Sequence, residues 1–402
     1  MTIAIIWQRF LPYHRARIRR AALFLYRRGI KLIAMEVATQ DTTYGFPPES
    51  PEDAPPIQYH CCFPDINYHS LKASKIHGTV LNALREFGPD VVFAPATPFP
   101  EGMAAIHYRT EYNKKVVMMD DSWELTDQRG FLIKAVKRMI HSNVDAVFIP
   151  AQSHAPYFLK AGFPENRVVF GVDVVDNDYY SKNAEYALKN EKNIRQARGM
   201  PENYFLFVGR VMPKKGLETL LQAYKIYRTS VKDNKWDLVI VGIGGNLEEL
   251  KKAYAAHRDI QFPGAQFGSN LCHYYALARA LVVPSLSDQW GLVINEGMAC
   301  GLPVIASRGC GATATLVHDG DNGWTFGPGD ADDLARCLIE AHGAGDEKLA
   351  SMGRRSMAII ASWSTERFAK AVFDAAQIPR RQPAGLIANI VTRIWKGHVR
   401  TY

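Results

Sequence analysis

Along the first 170 residues, short apolar runs alternate with longer stretches of helical period, the pattern of a parallel sheet joined by crossing helices. The runs Ile3–Trp7, Lys31–Val37, Val91–Ala94, Lys115–Met119, Ala146–Ile149 and Val168–Phe170 read as strands. Six prolines fall in Tyr44–Pro64, so that segment reads as a break in the pattern: a surface excursion or an acceptor-side loop. Tyr180–Gly199 is charged and poor in large apolar residues, and it marks a boundary. Beyond it the alternation resumes. Tyr204–Val208 reads as a strand, Leu217 opens a helix, and Leu292 to Met298 reads as the first turns of another, set off by Gly291. At 402 residues and 47% hydrophobic, the chain is long for one domain and has apolar content for two cores. The expected division is a first domain over 1–180 and a second over 200–362.

Charge changes the picture mainly by its placement. The net charge is +8, from 48 basic and 40 acidic residues, and no carboxylate precedes Glu36. Seven arginines do. On a helix through 15–28, Ile18, Ala22 and Leu25 share one face, while Arg17, Arg20, Arg27 and Arg28 point largely away. Near the other end, Leu386, Ile387, Ile390, Val391, Ile394 and Trp395 form an apolar stripe with Arg393, Lys396 and Arg400 beside it. Such basic amphipathic helices suit peripheral contact with an anionic membrane. The plainer reading is that both pack on the sheet and show their cations to water. The motifs of common nucleic-acid modules are missing, so nucleic acid is not an expected partner. No apolar run reaches 18 residues, and the start lacks the order of a secretory signal. Cys61, Cys62, Cys272, Cys300, Cys310 and Cys337 show no CxxC or zinc spacing, as expected of free thiols in a cytoplasmic protein.

Two segments carry chemistry. In DQWGLVINEGMACGLPVIA (288–306), Asp288 and Glu296 lie eight residues apart around a glycine turn and a helix start. The first amides of that helix have no intrahelical partner and offer a phosphate site. Both acids can accept hydrogen bonds from hydroxyls on one side of it. The bland alternative is that they merely favour the helix dipole. In FVGRVMPKKGLETLLQAY (207–224), Arg210 and Lys215 flank a loop between strand and helix. A planar guanidinium and a mobile ammonium suit a diphosphate leaving group, although a lone pair of loop cations is usually ordinary; Lys214 reads as a solvated neighbour. VGIGGNL has Leu247 where a dinucleotide fingerprint needs its third glycine.

Taken with LVIVGIGG (238–245), FPG (262–264) and HDGDNGWTF (318–326), these segments resemble, in order and spacing, the retaining glycosyltransferases of family 4 over the second half of the chain. The resemblance implies the α/β GT-B fold: two Rossmann-like domains facing a central cleft, with the segment from about 363 to 402 crossing back to the first. It implies that Arg210 and Lys215 contact the donor diphosphate, that Glu296 holds the nucleotide ribose, and that Asp288 contacts the transferred sugar. Gly209, Gly242, Gly244, Gln266, Gly291, Leu292 and Val293 complete the implied donor site. Two positions depart from the family pattern: Asp288 stands where Glu is usual, and Ile243 replaces a common acidic residue. The match is weaker before residue 180, where QRFLPYHRARI (8–18) replaces the usual glycine pair. His14, Arg15, Asp121 and His154 are the acceptor-side candidates there, with His107 weighed beside them. Asp120, Asp121 and Glu124 could suggest metal ligands, but the family generally works without a catalytic metal. No metal and no cofactor beyond the nucleotide-sugar co-substrate are therefore expected. The expected activity is transfer of a hexose-type sugar from a UDP- or GDP-type donor to a glycan or lipid-linked acceptor with retention of configuration. By analogy it belongs to bacterial surface polysaccharide or glycolipid assembly at the inner face of the membrane. An epimerase-type or non-catalytic nucleotide-sugar-binding protein is the alternative.

Overall fold

In the computed structural model, residues 1–41, 56–127, 129–245 and 247–399 are described. The chain divides into two compact units, Met1–Val174 with Thr365–Tyr402, and Val175–Ser364. The first unit runs β1 (Thr2–Trp7), α1 (Pro12–Tyr26), β2 (Lys31–Gln40), β3 (Ile57–Asn67), α2 (Ala73–Phe87), β4 (Val91–Pro95), α3 (Pro100–Tyr112), β5 (Lys115–Met119), α4 (Phe131–His141), β6 (Ala146–Ile149), α5 (Ala155–Lys160) and β7 (Val168–Phe170). The second unit opens with α6 (Asn177–Lys189) and α7 (Glu191–Arg198). It continues with β8 (Tyr204–Val208), α8 (Leu217–Ser230), β9 (Asp237–Val241), α9 (Leu247–Ala253), β10 (Ile260–Gly264), α10 (Gly268–Ala276) and β11 (Ala280–Val283). Then come α11 (Leu292–Ala299), β12 (Val304–Ser307), α12 (Thr313–Leu316), β13 (Gly323–Phe326), α13 (Ala331–Gly343) and α14 (Gly345–Ile360). The chain returns to the first unit with α15 (Thr365–Gln377) and α16 (Leu386–Ile394).

Each unit is a parallel sheet between helices. The first sheet has the order β3-β2-β1-β4-β5-β6-β7 and the second β10-β9-β8-β11-β12-β13. Every described pairing in both is parallel. Central strands are apolar throughout because both faces are covered: Ile3 to Ile6 and Tyr204 to Phe207 are buried without alternation. In each sheet the strand order reverses beside the first strand, between β1 and β4 and between β8 and β11. The carboxyl ends flanking such a reversal form a crevice, the usual ligand site of open α/β sheets.

The six strands read from the first half are present. The proline-rich segment divides: 44–55 lies outside the described residues, whereas Ile57–Asn67 is β3, the edge strand paired with β2 from Leu32↔Ile57 to Gln40↔Asn67. Pro64 is tolerated there because one side of an edge strand has no ladder to complete. The polar stretch 180–199 is helical and lies within the second unit. Arg17 corrects the reading of α1, since it is 2% exposed. Its Nε donates to Val174 O at 2.9 Å, and its Nη2 lies 3.3 Å from Asp173 Oδ1. The helix is covered on a second side by α15, where Arg20 reaches Glu366 at 3.5 Å, so its cations are partly used inside the fold. Among the described residues, no helix is long and apolar enough to cross a membrane.

Candidate functional site

The candidate residues of the second unit gather at the reversal between β8 and β11. The loop after β8 carries Arg210 and, at the end of a 3-10 turn, Lys215; the loop after β11 carries Asp288. Lys214 O accepts the Leu286 N–H at 2.9 Å, which ties the two loops together. Across this tie, Lys215 Nζ lies 2.5 Å from Asp288 Oδ2, with both side chains mostly buried. The backbone of Asp288 is pinned as well: its N–H donates to Gly309 O at 3.0 Å, and its O accepts from Gly311 N–H at 3.1 Å. Residues 73 apart in sequence thus form one fixed ion pair.

Gly291 stands between Asp288 and α11 at φ +98°, a left-handed conformation, and an added Cβ would lie 2.5 Å from Cys310 Sγ. No side chain caps α11, so the amides of Leu292 and Val293 begin the helix uncapped at a partly exposed end. Inside the helix Glu296 is 9% exposed. Its Oε2 accepts from the Tyr275 hydroxyl at 2.7 Å, and the Tyr180 hydroxyl also bonds its carboxylate. Burial pushes the Glu296 carboxyl up to about 7, against the pull of the two phenols. The loops after β8 and β9 meet at backbone distance: Gly209 N–H donates to Val241 O at 3.0 Å, and an added Cβ on Gly242 would lie 1.8 Å from Gly209 O. Gly244 presses likewise on Val211 O, while Gln266 Nε2 donates to Pro263 O at 3.0 Å beyond β10. Arg210 is half-buried beside Gly209.

The candidates of the first unit are more dispersed. His14 stacks on Trp7 at 4.4 Å between ring centroids, and its Nδ1 accepts from Leu11 N–H at 3.2 Å. Burial, and then the charge of Arg17, hold its imidazole well below the ordinary histidine range. Arg15 Nε donates to Phe10 O at 3.2 Å. Asp121, after β5, contributes charge to the buried Arg17. His154 has no exposure; its ring stacks on Trp123 at 5.7 Å, with Ser153 Oγ at 3.1 Å from Nδ1. His107 is buried between His77, at 2.7 Å, and Thr392 O, at 2.7 Å. Arg17, Asp173, Tyr180 and Tyr275 were not among the sequence candidates. The first has a helix periodicity that places it outward, and the tyrosines lie on α6 and α10, with no motif to link them to Glu296.

Residues 189–356 match the model of the family described as glycosyl transferases group 1. That stretch is therefore similar to the family, and the frame of two Rossmann-like parallel-sheet units is the GT-B fold. It is 31% identical over 253 residues to the lipopolysaccharide 1,2-N-acetylglucosaminetransferase of Salmonella typhimurium, a match covering 56% of this chain and 64% of that protein. Matches to two further curated relatives span 39% and 46% of those proteins. Sucrose-phosphate synthase from Thermosynechococcus elongatus has a similar structure, with TM-score 0.71, 20% identity, and coverage of 92% of this chain and 97% of that one. Anabaena HepE in complex with UDP-glucose gives TM-score 0.68 at 17% identity, covering 93% and 98%.

Proposed function

We propose that this protein is a retaining glycosyltransferase, transferring a hexose-type sugar from a nucleoside-diphosphate donor to a hydroxyl of a glycan or lipid-linked acceptor. The observation that carries the reading is the Lys215–Asp288 pair at the sheet reversal, beside the uncapped start of α11. Cleavage of the anomeric C–O bond puts negative charge on the diphosphate and positive charge on the sugar ring. Lys215, Arg210 and the amides of Leu292 and Val293 supply fixed positive charge for the first, and Asp288 offers carboxylate oxygen to the sugar hydroxyls. Because Lys215 and Asp288 touch, the diphosphate and the sugar they serve lie within one sugar width of each other. An acceptor hydroxyl bound on the same face forms the new C–O bond as the old one breaks, and its proton passes to the departing phosphate oxygen. That route gives retention without a protein nucleophile. Glu296, oriented by Tyr275 and Tyr180, takes the ribose hydroxyls. The solved structure of HepE with UDP-glucose and the name of the Salmonella relative support a nucleotide-sugar donor and a glycan acceptor.

The test is nucleoside-diphosphate release from a panel of UDP-, GDP- and ADP-sugars, with and without a polyprenyl-linked sugar, followed by NMR of the product anomer. Release from one donor, raised by acceptor and giving the donor's own anomeric configuration, is expected. Inversion would remove the front-face route. Donor binding without release would replace transfer by a non-catalytic role, and acceptor-independent rearrangement of the donor would indicate an epimerase.

A further inference from the structure

Helix α16 is mounted the wrong way round for a helix in water. Thr392 is its one fully buried residue; Thr392 O accepts from His107 Nε2 at 2.7 Å, and its Oγ1 accepts from Asn143 Nδ2 at 3.1 Å. Just past the helix, Trp395 Nε1 donates to Thr97 O at 3.1 Å. Polar groups, with Val391 against the core, thus hold α16 to the unit while most of its large apolar residues face solvent: Leu386 is 77% exposed, and Ile387 and Ile394 are comparably open. Its neighbour α4, packed against it, does the same. Phe131 is 82% exposed, with Leu132 and Ile133 beside it, while the buried residues of that helix are Lys137, Ile140 and His141. Exposed large apolar residues gathered on two packed helices mark an interaction surface.

Charge selects the occupant. The sequence has no Asp or Glu between Asp127 and Asp145, and none after Asp374. Lys134 and Arg138 on α4, and Arg393 and Lys396 at the end of α16, are all exposed. A second copy docked by the same patch would oppose cation to cation across a two-fold axis. An anionic lipid surface instead takes the apolar residues at the headgroup boundary and the cations among the phosphates. We infer that the paired helices α4 and α16 form a docking surface for an anionic membrane.

Co-sedimentation of the full chain with vesicles of phosphatidylcholine alone, or with 30 mol% phosphatidylglycerol, tests this at two salt concentrations. Binding to the anionic vesicles is expected, weakening as salt rises. A triple variant Leu132→Ser, Leu386→Ser, Ile387→Ser should bind at least tenfold more weakly with an unchanged melting temperature, since all three residues are exposed. Lys134→Glu with Arg393→Glu should lose the preference for anionic lipid. Failure of the parent to sediment, parent-like binding by either variant, or a monomer–dimer shift in the serine variant without any vesicle binding would each overturn the inference.

Discussion

The two sheets reverse strand order in the same way, yet the two reversals are built differently. Between β8 and β11 the loops are close-set on glycines: Gly242 meets the backbone of Gly209, and Gly291 turns the chain from Asp288 into α11. Polar side chains there are left to one another and to solvent, as in the Lys215–Asp288 pair. Between β1 and β4 the loop Gln8–Leu11 has no glycine, and side chains of α1 tie its backbone: Arg15 bonds Phe10 O, and His14 bonds Leu11 N–H. The buried Glu101 opposite them accepts from the Tyr68 hydroxyl at 3.1 Å, and burial pushes its carboxyl up to about 7. The same topology thus yields a reversal lined by close-set glycine backbone in one unit and a side-chain-filled one in the other. Backbone that can approach a phosphate closely needs glycine, which the loops after β8 and β9 supply and Gln8–Leu11 does not.

Six outcomes would break or sharpen this contrast. Gly242→Ala should cost about 4 kcal/mol or more, because the new Cβ meets backbone that cannot move aside; a denaturation midpoint close to the parent's would show the loop contact to be loose. Lys215→Ala should lower transfer about 100-fold with the fold intact, and a rate within threefold of the parent's would take the ion pair out of the reaction. In the first unit, Arg17→Met should cost about 3 kcal/mol, since it strands the largely buried Asp173. A stability loss is expected there with little change in donor affinity, which calorimetry on the folded variant checks.

Glu296 adds a pH dependence of two signs. Its folded pKa of about 7 lies above its unfolded value, so the stabilising contribution is complete below about 4.5 and is lost as pH rises through about 7. Donor affinity should move oppositely, rising through the same range as the carboxylate forms. Tyr275→Phe removes a bond that favours the carboxylate, and should shift that midpoint upward while weakening binding at pH 7 by about 1–2 kcal/mol. An unshifted midpoint would detach Tyr275 from the ribose contact. Smallest of all, His14→Gln should change donor affinity less than threefold; a tenfold loss would mean that the first reversal also binds the donor.

Much of the frame was legible in the residues. Strands such as Val91–Pro95, Lys115–Met119 and Ala146–Ile149 fall where the apolar runs put them, because strands buried on both faces leave uninterrupted apolar segments. The edge strand Ile57–Asn67 was hidden, since its half-buried residues and Pro64 give no such run. On the second unit Lys215, Asp288 and Glu296 could be named because each sits in a local turn-and-helix pattern. The tyrosines that orient Glu296 sit in no such pattern.

By itself, then, the sequence determined the parallel-sheet class, the loops that bear Lys215 and Asp288, and the glycine turn into α11, all of which follow from spacing within about ten residues. Tertiary structure decided that Lys215 and Asp288 pair across 73 residues, that Tyr275 and Tyr180 take Glu296, and that Arg17 goes inside. It also turned most of the apolar stripe of α16 outward, leaving Val391 against the core, because Thr392 found its partners in Asn143 and His107. Periodicity fixes which residues of a helix share a face; which face is buried depends on partners brought from elsewhere in the chain.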